Sequence, residues 1–155
     1  YTAICAGGTG YHLGTSPTSP ITVSGLTNGQ PYACLATATN AVGDSPYSEL
    51  SAPFTPAGPP SAPQIASIDP GDNQVSINVS VADDGGSPIT SYTAACFAND
   101  FLAIFGTSPT SPITVSGLTN GQAYACLATA TNDVGSSPIS APSAPVIPVA
   151  PAPGC

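Results

Sequence analysis

The segment Gly14–Gln30 recurs without a change at Gly106–Gln122, and this internal repeat constrains the fold more than any other feature of the sequence. Each copy runs directly into a near-identical stretch, PYACLATATN at Pro31–Asn40 and AYACLATATN at Ala123–Asn132. A repeat within one chain fixes the size of the structural unit, because each copy is expected to adopt the same supersecondary structure. We therefore expect two units of one kind.

Short alternating segments in each copy predict β-strands. Ile21 and Val23, like their equivalents in the second copy, alternate with Thr and Ser, which is typical of a strand with one buried face. The Thr-Asn-Gly sequence that follows is typical of a tight turn. The last stretch of each copy, Ser45–Thr55 and Ser137–Ile147, contains prolines, which favours a strand at the edge of a sheet.

The region between the copies predicts two further strands that the first copy lacks. Ala57–Pro63 has the composition of a short, stiff linker with polyproline character. Ile65–Ile68 is a short apolar run, and the alternation over Val75–Val81 is typical of a half-buried strand. The first portion of the chain is therefore one strand pair short of the second.

The charge balance excludes whole classes of partner. The chain has 155 residues, with no Lys or Arg against eight acids, and a formal net charge of -8. Nothing in such a chain neutralises phosphate, so nucleic acid is excluded as a partner, and attraction to anionic lipid is equally unfavourable. The sequence also lacks the run of about 18 apolar residues that a membrane-spanning helix needs, so we expect no membrane insertion.

Five cysteines are present, and four of them occupy equivalent places in the two copies. These four are Cys5, Cys34, Cys96 and Cys126. Two repeated pairs and one odd residue indicate two disulfides and a leftover thiol, which favours an oxidising compartment. Four buried thiols are the alternative.

The part of the chain from Ala57 to Pro148 resembles a fibronectin type III domain of the kind common in bacterial secreted proteins. The resemblance is carried by PSAP at Pro60–Pro63, by QVSINVSVADDGGSPITSYTAAC at Gln74–Cys96 and by SPITVSGLTNGQAYACLATATNDVGSSPISAPS at Ser111–Ser143. It implies an all-β fold of tandem immunoglobulin-like β-sandwiches, with the first one incomplete. The implied domains are a partial one over 1–56, which matches the family from its third strand onward, a complete one over 57–148, and an extended Pro-rich tail over 149–155.

The same resemblance assigns roles to individual residues. The family's corner tyrosine falls on Tyr32 and Tyr124, which implies core positions rather than a site. Cysteines on neighbouring strands of the family fold imply the pairs Cys5–Cys34 and Cys96–Cys126. The family usually carries a core Trp on its second strand, and Val79 stands in its place, which implies a thinner core.

The missing strand pair leaves three explanations for the first portion. The chain is a fragment of a longer array, a neighbouring subunit donates strands, or a proteolytic cut separates segments that stay associated. An uncompleted sandwich exposes an apolar face and a sheet edge, and both are association sites. Donation that does not close on itself generates a filament.

A search for catalytic or metal-binding residues finds little. His12, the only histidine, lies in a Gly-rich stretch and is expected to be a surface loop residue. No serine lies in a G-x-S-x-G setting, and no zinc spacing exists. Asp83 and Asp84 are expected to form a turn, with calcium binding as the weaker alternative. We therefore expect no enzyme activity, no cofactor and no metal.

Two residues are candidates for covalent modification. Asn78 begins an N-glycosylation sequon on the outward face of a strand, with an unmodified surface as the alternative. Cys155 is a candidate for an intermolecular disulfide, with a free terminal thiol as the alternative. The absence of Lys and Arg leaves trypsin-like proteases no cleavage site, which suits a durable extracellular material.

The sequence therefore predicts an extracellular or cell-surface structural protein. It is expected to be a subunit of a fibre, appendage or surface layer whose partners are other copies of itself. The alternative is a spacer or binding module of a secreted enzyme or adhesin, with glycans as partners.

Overall fold

The computed structural model describes residues 1–8, 10–98 and 102–151. Within these ranges the regular elements are β-strands, all paired in antiparallel fashion. They are β1 (Thr2–Gly7), β2 (Gly10–Thr15), β3 (Tyr32–Thr37), β4 (Gln64–Gly71), β5 (Gln74–Ser80), β6 (Ile89–Phe97), β7 (Ala103–Ser108), β8 (Ile113–Ser116) and β9 (Ala125–Asn132).

The chain divides into two compact units between Ala57 and Gly58. Unit 1 contains β1 to β3 in a single sheet, in the order β2-β1-β3. Unit 2 contains the remaining strands in two sheets, in the orders β4-β5-β8 and β7-β6-β9.

Unit 2 is a β-sandwich whose core follows from the alternation of its strands. The β4-β5-β8 sheet contributes side chains with no more than 8% exposure, and these are Val75, Ile77, Val79, Ile113 and Val115. They pack against the small inward residues of the other sheet, which include Ala94, Cys96, Cys126 and Ala128. Polar residues between them face outward, because successive side chains of a strand point to opposite faces. The all-β sandwich that the sequence predicts is therefore confirmed.

Unit 1 repeats the β7-β6-β9 sheet of unit 2, with the same register between its strands. Cys5 lies opposite Cys34, as Cys96 lies opposite Cys126. The segment Ile21–Ser24 is not a strand, although β8 has the same sequence and the alternation predicts one. The physical reason is that β8 pairs with β5 in unit 2, and the described part of unit 1 holds no equivalent of β5.

The segment Ile21–Ser24 nevertheless keeps its place over the sheet of unit 1. A Cβ at Gly14 would overlap the carbonyl oxygen of Thr22, and a Cβ at Gly106 would overlap that of Thr114 in the same way. The two glycines thus allow the same close approach of two backbones. Unit 1 therefore presents this segment in a position like that of β8, with its hydrogen-bonding edge uncovered.

The last part of each unit is not the edge strand that the sequence predicts. It runs beside β3 or β9 as a ladder of serines spaced three residues apart. The N–H of Ser48 donates to the carbonyl of Ala36 at 2.9 Å, and the N–H of Ala36 donates to the hydroxyl of Ser48 at 3.0 Å. The serines that make this pair of bonds are Ser45, Ser48 and Ser51 in unit 1 and Ser137, Ser140 and Ser143 in unit 2.

The ladder matches three residues of the last segment to two residues of the strand. Ser45, Ser48 and Ser51 pair with Ala38, Ala36 and Cys34 in turn. Each step therefore has one extra residue on the last segment, as in a β-bulge. Each serine hydroxyl supplies the acceptor that a regular strand would supply with its backbone carbonyl, so the extra residue leaves no strand N–H unpaired at these positions.

All of the predicted linker except Ala57 is part of unit 2. The N–H of Gly58 donates to the carbonyl of Gly85 at 2.8 Å, and that of Ser61 donates to Asp83 at 2.8 Å. A Cβ at Gly85 would overlap the carbonyl oxygen of Gly58, and its φ of 74° favours glycine. Residues 58–63 therefore pack against the turn before β6 rather than acting as a free spacer.

Candidate functional site

The candidate site of this chain is an uncovered face of unit 1. We call it the open face and define it as Ile21, Val23, Leu26, Ala36 and Ala38. The equivalent residues in unit 2 are at most 3% exposed, and they are Ile113, Val115, Leu118, Ala128 and Ala130. On the open face Ala38 is exposed and the other four are partly exposed. Every one of these pairs is identical in residue type, so the difference in exposure comes from β4 and β5, which unit 1 lacks.

One end of the open face carries an asparagine with an unused amide group. In unit 2 the Nδ2 of Asn132 donates to the carbonyls of Gly58 and Asp84, both at 2.8 Å, and Asn132 is 4% exposed. Its equivalent Asn40 is exposed. The Oδ1 of Asn40 accepts from Val42 and Gly43, as the Oδ1 of Asn132 accepts from its own loop. Within the described ranges, the Nδ2 of Asn40 makes no hydrogen bond.

At the opposite end of the open face, backbone and amide groups also lack the hydrogen bonds that their equivalents make in unit 2. In unit 2 the N–H of Leu118 donates to the carbonyl of Asn73 at 3.0 Å, and the N–H of Asn73 donates to Asn120 Oδ1 at 2.9 Å. The equivalent groups in unit 1 belong to Leu26 and Asn28. Neither has such a bond in the parts of the chain that the structure describes.

Unit 1 has one cleft at the Asn40 end and another that is lined by Thr27, between Leu26 and Asn28. One of about 800 Å³ lies beside Asn40 and is also lined by Tyr1, Ala38 and Ser45. In unit 2 the place beside Asn132 is taken by the Gly58–Pro60 segment, with Pro59 in contact range of Gly135. The other cleft has about 440 Å³, and its walls include Gly8, His12, Thr27, Gln30 and Tyr32.

His12 lies on β2 rather than in the surface loop that the sequence predicts. It is half-buried, and its ring meets that of Tyr32 edge to face at 5.8 Å between centroids. His12 lies opposite Cys5, as Ile104 lies opposite Cys96 in unit 2. Ile104 is partly buried and packs against the core of unit 2. His12 therefore takes a core-edge position.

The four repeated cysteines form two disulfides, Cys5–Cys34 and Cys96–Cys126. Each joins residues that lie directly opposite one another, on β1 and β3 or on β6 and β9. Both bonds lie inside single units, and disulfides of this kind are typical of oxidising compartments. Cys155, the candidate for an intermolecular bond, lies outside the described residues, as does the tail beyond Pro151.

The two corner tyrosines are buried and tie a turn to a strand. Tyr32 is 3% exposed and Tyr124 is 6% exposed. The Tyr32 hydroxyl accepts a bond of 3.0 Å from the N–H of Thr27, and the Tyr124 hydroxyl accepts one of 3.1 Å from Thr119. A tyrosine hydroxyl bonded to backbone a few residues upstream is the tyrosine corner of immunoglobulin-like sandwiches.

Asn78 lies on β5 with its side chain engaged in the sheet. Its Nδ2 donates to the hydroxyl of Ser67 at 3.0 Å and to Asp69 Oδ2 at 3.2 Å, and the residue is half-buried. A glycan would be attached at this same nitrogen, so in the folded chain it competes with these bonds. N-glycosylation of Asn78 stays a prediction.

The carboxylates of the DDGGSP turn serve the turn itself. Asp83 Oδ1 accepts from the N–H of Gly85 and Asp84 Oδ1 from that of Gly86, both at 2.9 Å. Such bonds from an Asp side chain to the backbone two residues on are typical of turns. Among the residues that the structure describes, no three His, Cys, Asp or Glu side chains are grouped as a metal site would need.

Sequence reasoning missed two features of the site, the serine ladder and the role of Asn132. A signal for the ladder was present, because the serines recur at every third position in both copies. The role of Asn132 had no local signal, since its partners Gly58 and Asp84 are far away in the sequence.

The two antiparallel sheets and the tyrosine corner define unit 2 as a β-sandwich of the immunoglobulin and fibronectin type III kind. No family model matches the chain. A crystal structure of consecutive titin domains is 22% identical, with a TM-score of 0.54, and its match covers 94% of this chain and 53% of that one. A structure of the titin kinase with its flanking domains is 29% identical, with a TM-score of 0.52, and its match covers 59% of this chain and 18% of that one.

The chain thus spans about half or less of the length of these structures. The likeness shows the all-β fold. No helix among the described residues has the length and apolar character needed to cross a bilayer.

Proposed function

We propose that this chain is a non-catalytic structural subunit of an extracellular fibre, appendage or surface layer, in which a neighbouring subunit adds β-strands to unit 1. The observation that supports the proposal is the contrast between the open face and the identical residues of unit 2. The same side chains are core in one unit and partly exposed in the other. Exposed apolar faces and unpaired strand edges are sites of association.

The energetic gain from covering the open face is substantial. Full burial of a Val, Leu or Ile side chain contributes about 1.5–3 kcal/mol relative to exposure. Ile21, Val23 and Leu26 are each partly exposed, so a covering strand pair recovers part of this contribution at three positions. The backbone of Ile21–Ser24 gains hydrogen-bonded partners at the same time.

Strand donation of this kind favours a filament or array. The open face accepts strands, and a different part of the neighbouring chain donates them, so the contact is heterologous. Because β4 and β5 form a sheet with β8 in unit 2, a copy that donates this pair releases it from its own unit 2. A heterologous contact that does not close into a ring repeats without limit. Other copies of this chain are therefore the proposed partners, in a homopolymer.

An extracellular or cell-surface location fits the chemistry of the chain. Two disulfides favour an oxidising compartment. A chain without Lys or Arg has no site for trypsin-like proteases, which suits a material exposed to secreted enzymes. The bacterial extracellular type of fibronectin domain, suggested by sequence resemblance, belongs to the same proposal.

Imaging the native material by cryo-electron microscopy tests the proposal. We expect regular repeating order, and a strand from a different subunit running beside Ile21–Ser24. The proposal is rejected if the native protein is a dispersed monomer, or if residues of the same molecule cover the open face in the map.

The second candidate function is a spacer or binding module of a secreted enzyme or adhesin, with glycans as ligands. The resemblance to domains that flank a kinase in titin favours a modular role of this general kind. A catalytic domain joined to this chain in the intact native protein, detected by mass spectrometry, would favour this function over the fibre.

A further inference from the structure

The structure of unit 2 identifies the chemistry of what covers the open face. We infer that unit 1 binds a strand pair, contributed by another polypeptide chain, with the same pattern as Gly58–Ser80: a Pro-rich lead, a short strand and a Val/Ile-alternating strand. The inference rests on the proposed function in one respect, namely that the cover comes from a second chain. It adds the identity of the ligand and its register.

Unit 2 supplies the register directly. There β5 runs antiparallel to β8, with Val75 opposite Val115 and Ile77 opposite Ile113. The segment Ile21–Ser24 has the sequence of β8 and a similar close approach to its own sheet, at Gly14. A bound strand therefore places its β-branched residues opposite Val23 and Ile21, and its polar residues outward.

Unit 1 has a place for each end of the ligand. The Pro-rich lead enters the cleft beside Asn40, where the free Nδ2 donates to a carbonyl, as Asn132 Nδ2 donates to Gly58. The turn between the two ligand strands reaches the N–H of Leu26, as Asn73 reaches Leu118 in unit 2.

A further polar contact fixes the far end of the ligand strand. In unit 2 the N–H of Val79 donates to the hydroxyl of Ser111 at 2.9 Å. The equivalent Ser19 is exposed and makes no such bond within the described chain. In unit 2 these hydrogen-bonding groups bond Val79, Asn73 and Gly58, which all belong to the Gly58–Ser80 segment. Their equivalents in unit 1 are Ser19, Leu26, Asn28 and Asn40, each of the same residue type.

These positions make the ligand specific rather than merely apolar. A general hydrophobic partner would cover Ile21 and Val23 without using the amide of Asn40. A strand pair of the Gly58–Ser80 type satisfies the amide, the strand edge and the apolar side chains together. Buried polar groups left without partners disfavour other ligands, and this is how a site rejects near matches.

A synthetic peptide with the sequence of Ala57–Ala82 tests the inference on the disulfide-bonded 155-residue chain. We expect one peptide per chain by calorimetry, and hydrogen exchange slowed at Ile21–Ser24 and Ala36–Ala38 with no change in unit 2. A scrambled peptide of equal composition should not bind. Protection that appears in unit 2 instead, or no binding at all, overturns the inference.

A matched pair of chain variants tests the predicted contact at Asn40. Asn40→Asp keeps the Oδ1 acceptor for the loop but removes the Nδ2 donor, and should weaken peptide binding at least about tenfold. Leu50→Ala removes an exposed apolar side chain outside the open face, and should leave the affinity unchanged. Equal affinities for the Asn40→Asp variant and the parent chain would contradict the proposed role of the amide.

The experiment separates this inference from the proposed function. Peptide binding by a chain whose native form is a dispersed monomer would support the ligand and reject the fibre. Ordered fibres in which a strand of unrelated pattern covers Ile21–Ser24, together with no peptide binding, would support the fibre and reject the ligand.

Discussion

The hydroxyl of Ser140 accepts a hydrogen bond of 2.9 Å from the backbone N–H of Ala128, and both residues are buried. The equivalent bond in unit 1, from Ala36 to Ser48, has a length of 3.0 Å and lies at the surface. The same chemistry thus occurs twice in one chain with different access to water. Each unit therefore serves as an internal control for the other.

Replacing Ser140 with Ala should cost more stability than replacing Ser48 with Ala. The first change leaves a buried N–H of Ala128 without a partner, which costs about 1–3 kcal/mol. The second leaves an N–H that water can reach, and surface changes of this kind usually stay within about 0.5 kcal/mol. Urea unfolding followed by circular dichroism measures both, and equal losses for the two variants would contradict the assigned burial.

Removing a disulfide should affect unit 1 more severely than unit 2. In the chain-entropy model a loop with a sequence separation of 30, as for Cys96–Cys126, loses about 3–4 kcal/mol of stabilisation when opened. Unit 2 retains its sandwich core against this loss. Unit 1 has one sheet, so opening Cys5–Cys34 should leave it unfolded.

Hydrogen exchange on the two double Cys→Ala variants distinguishes these outcomes. The Cys5/Cys34 variant should lose protection throughout β1 to β3 while β5 to β9 stay protected. The Cys96/Cys126 variant should keep protection in unit 2 at low temperature and unfold at lower urea. A fully protected β1–β3 sheet without its disulfide would show that the sheet is stable alone.

Removing the corner hydroxyl should destabilise each unit through one turn. In Tyr124→Phe the N–H of Thr119 loses its acceptor in a partly buried site, at a cost of about 1–2 kcal/mol. Tyr32→Phe removes the equivalent bond to Thr27 and should increase exchange at that amide. Thermal unfolding of Tyr124→Phe beside the control Tyr47→Phe, an exposed tyrosine, checks the size of the effect, and equal melting temperatures would rule it out.

Trypsin should leave the chain intact even after reduction in urea, because the sequence contains no Lys or Arg. Chymotrypsin serves as the positive control, since Tyr, Phe and Leu residues are present and become accessible on unfolding. Mass spectrometry of the trypsin digest should give the undigested mass. Defined tryptic fragments would mean that the purified protein differs from this sequence.

The β-sandwich was predictable from the sequence. Whether a given segment forms a strand was not. Alternation over Val75–Val81 and at Ile113 and Val115 identifies half-buried strands, because the side-chain period of a strand is two. The segments Ile21–Ser24 and Ile113–Ser116 have one sequence, yet only the second is a strand. The difference is that Ile113–Ser116 pairs with β5, which is distant in sequence. The local sequence therefore cannot distinguish the two segments.

The serine ladder escaped prediction for a related reason. Its period of three matches neither a strand nor a helix, and its partners on β3 and β9 follow a period of two. The prolines nearby favour an edge strand when the sequence is considered alone. They are tolerated because proline has no N–H to donate, and the N–H donors of the ladder are those of the serines, not of positions 46 and 138.

In the serine ladder the serines hold the backbone, so the residues beside them are free to change in evolution. Ser48 and Ser140 hold the backbone, while the positions beside them differ freely between the copies, with Tyr47 in one and Ile139 in the other. A new side chain at these positions changes the exposed surface of the ladder without breaking the hydrogen bonds that hold the ladder to the sheet. A lineage of such domains can thus acquire new contacts while its scaffold stays constant.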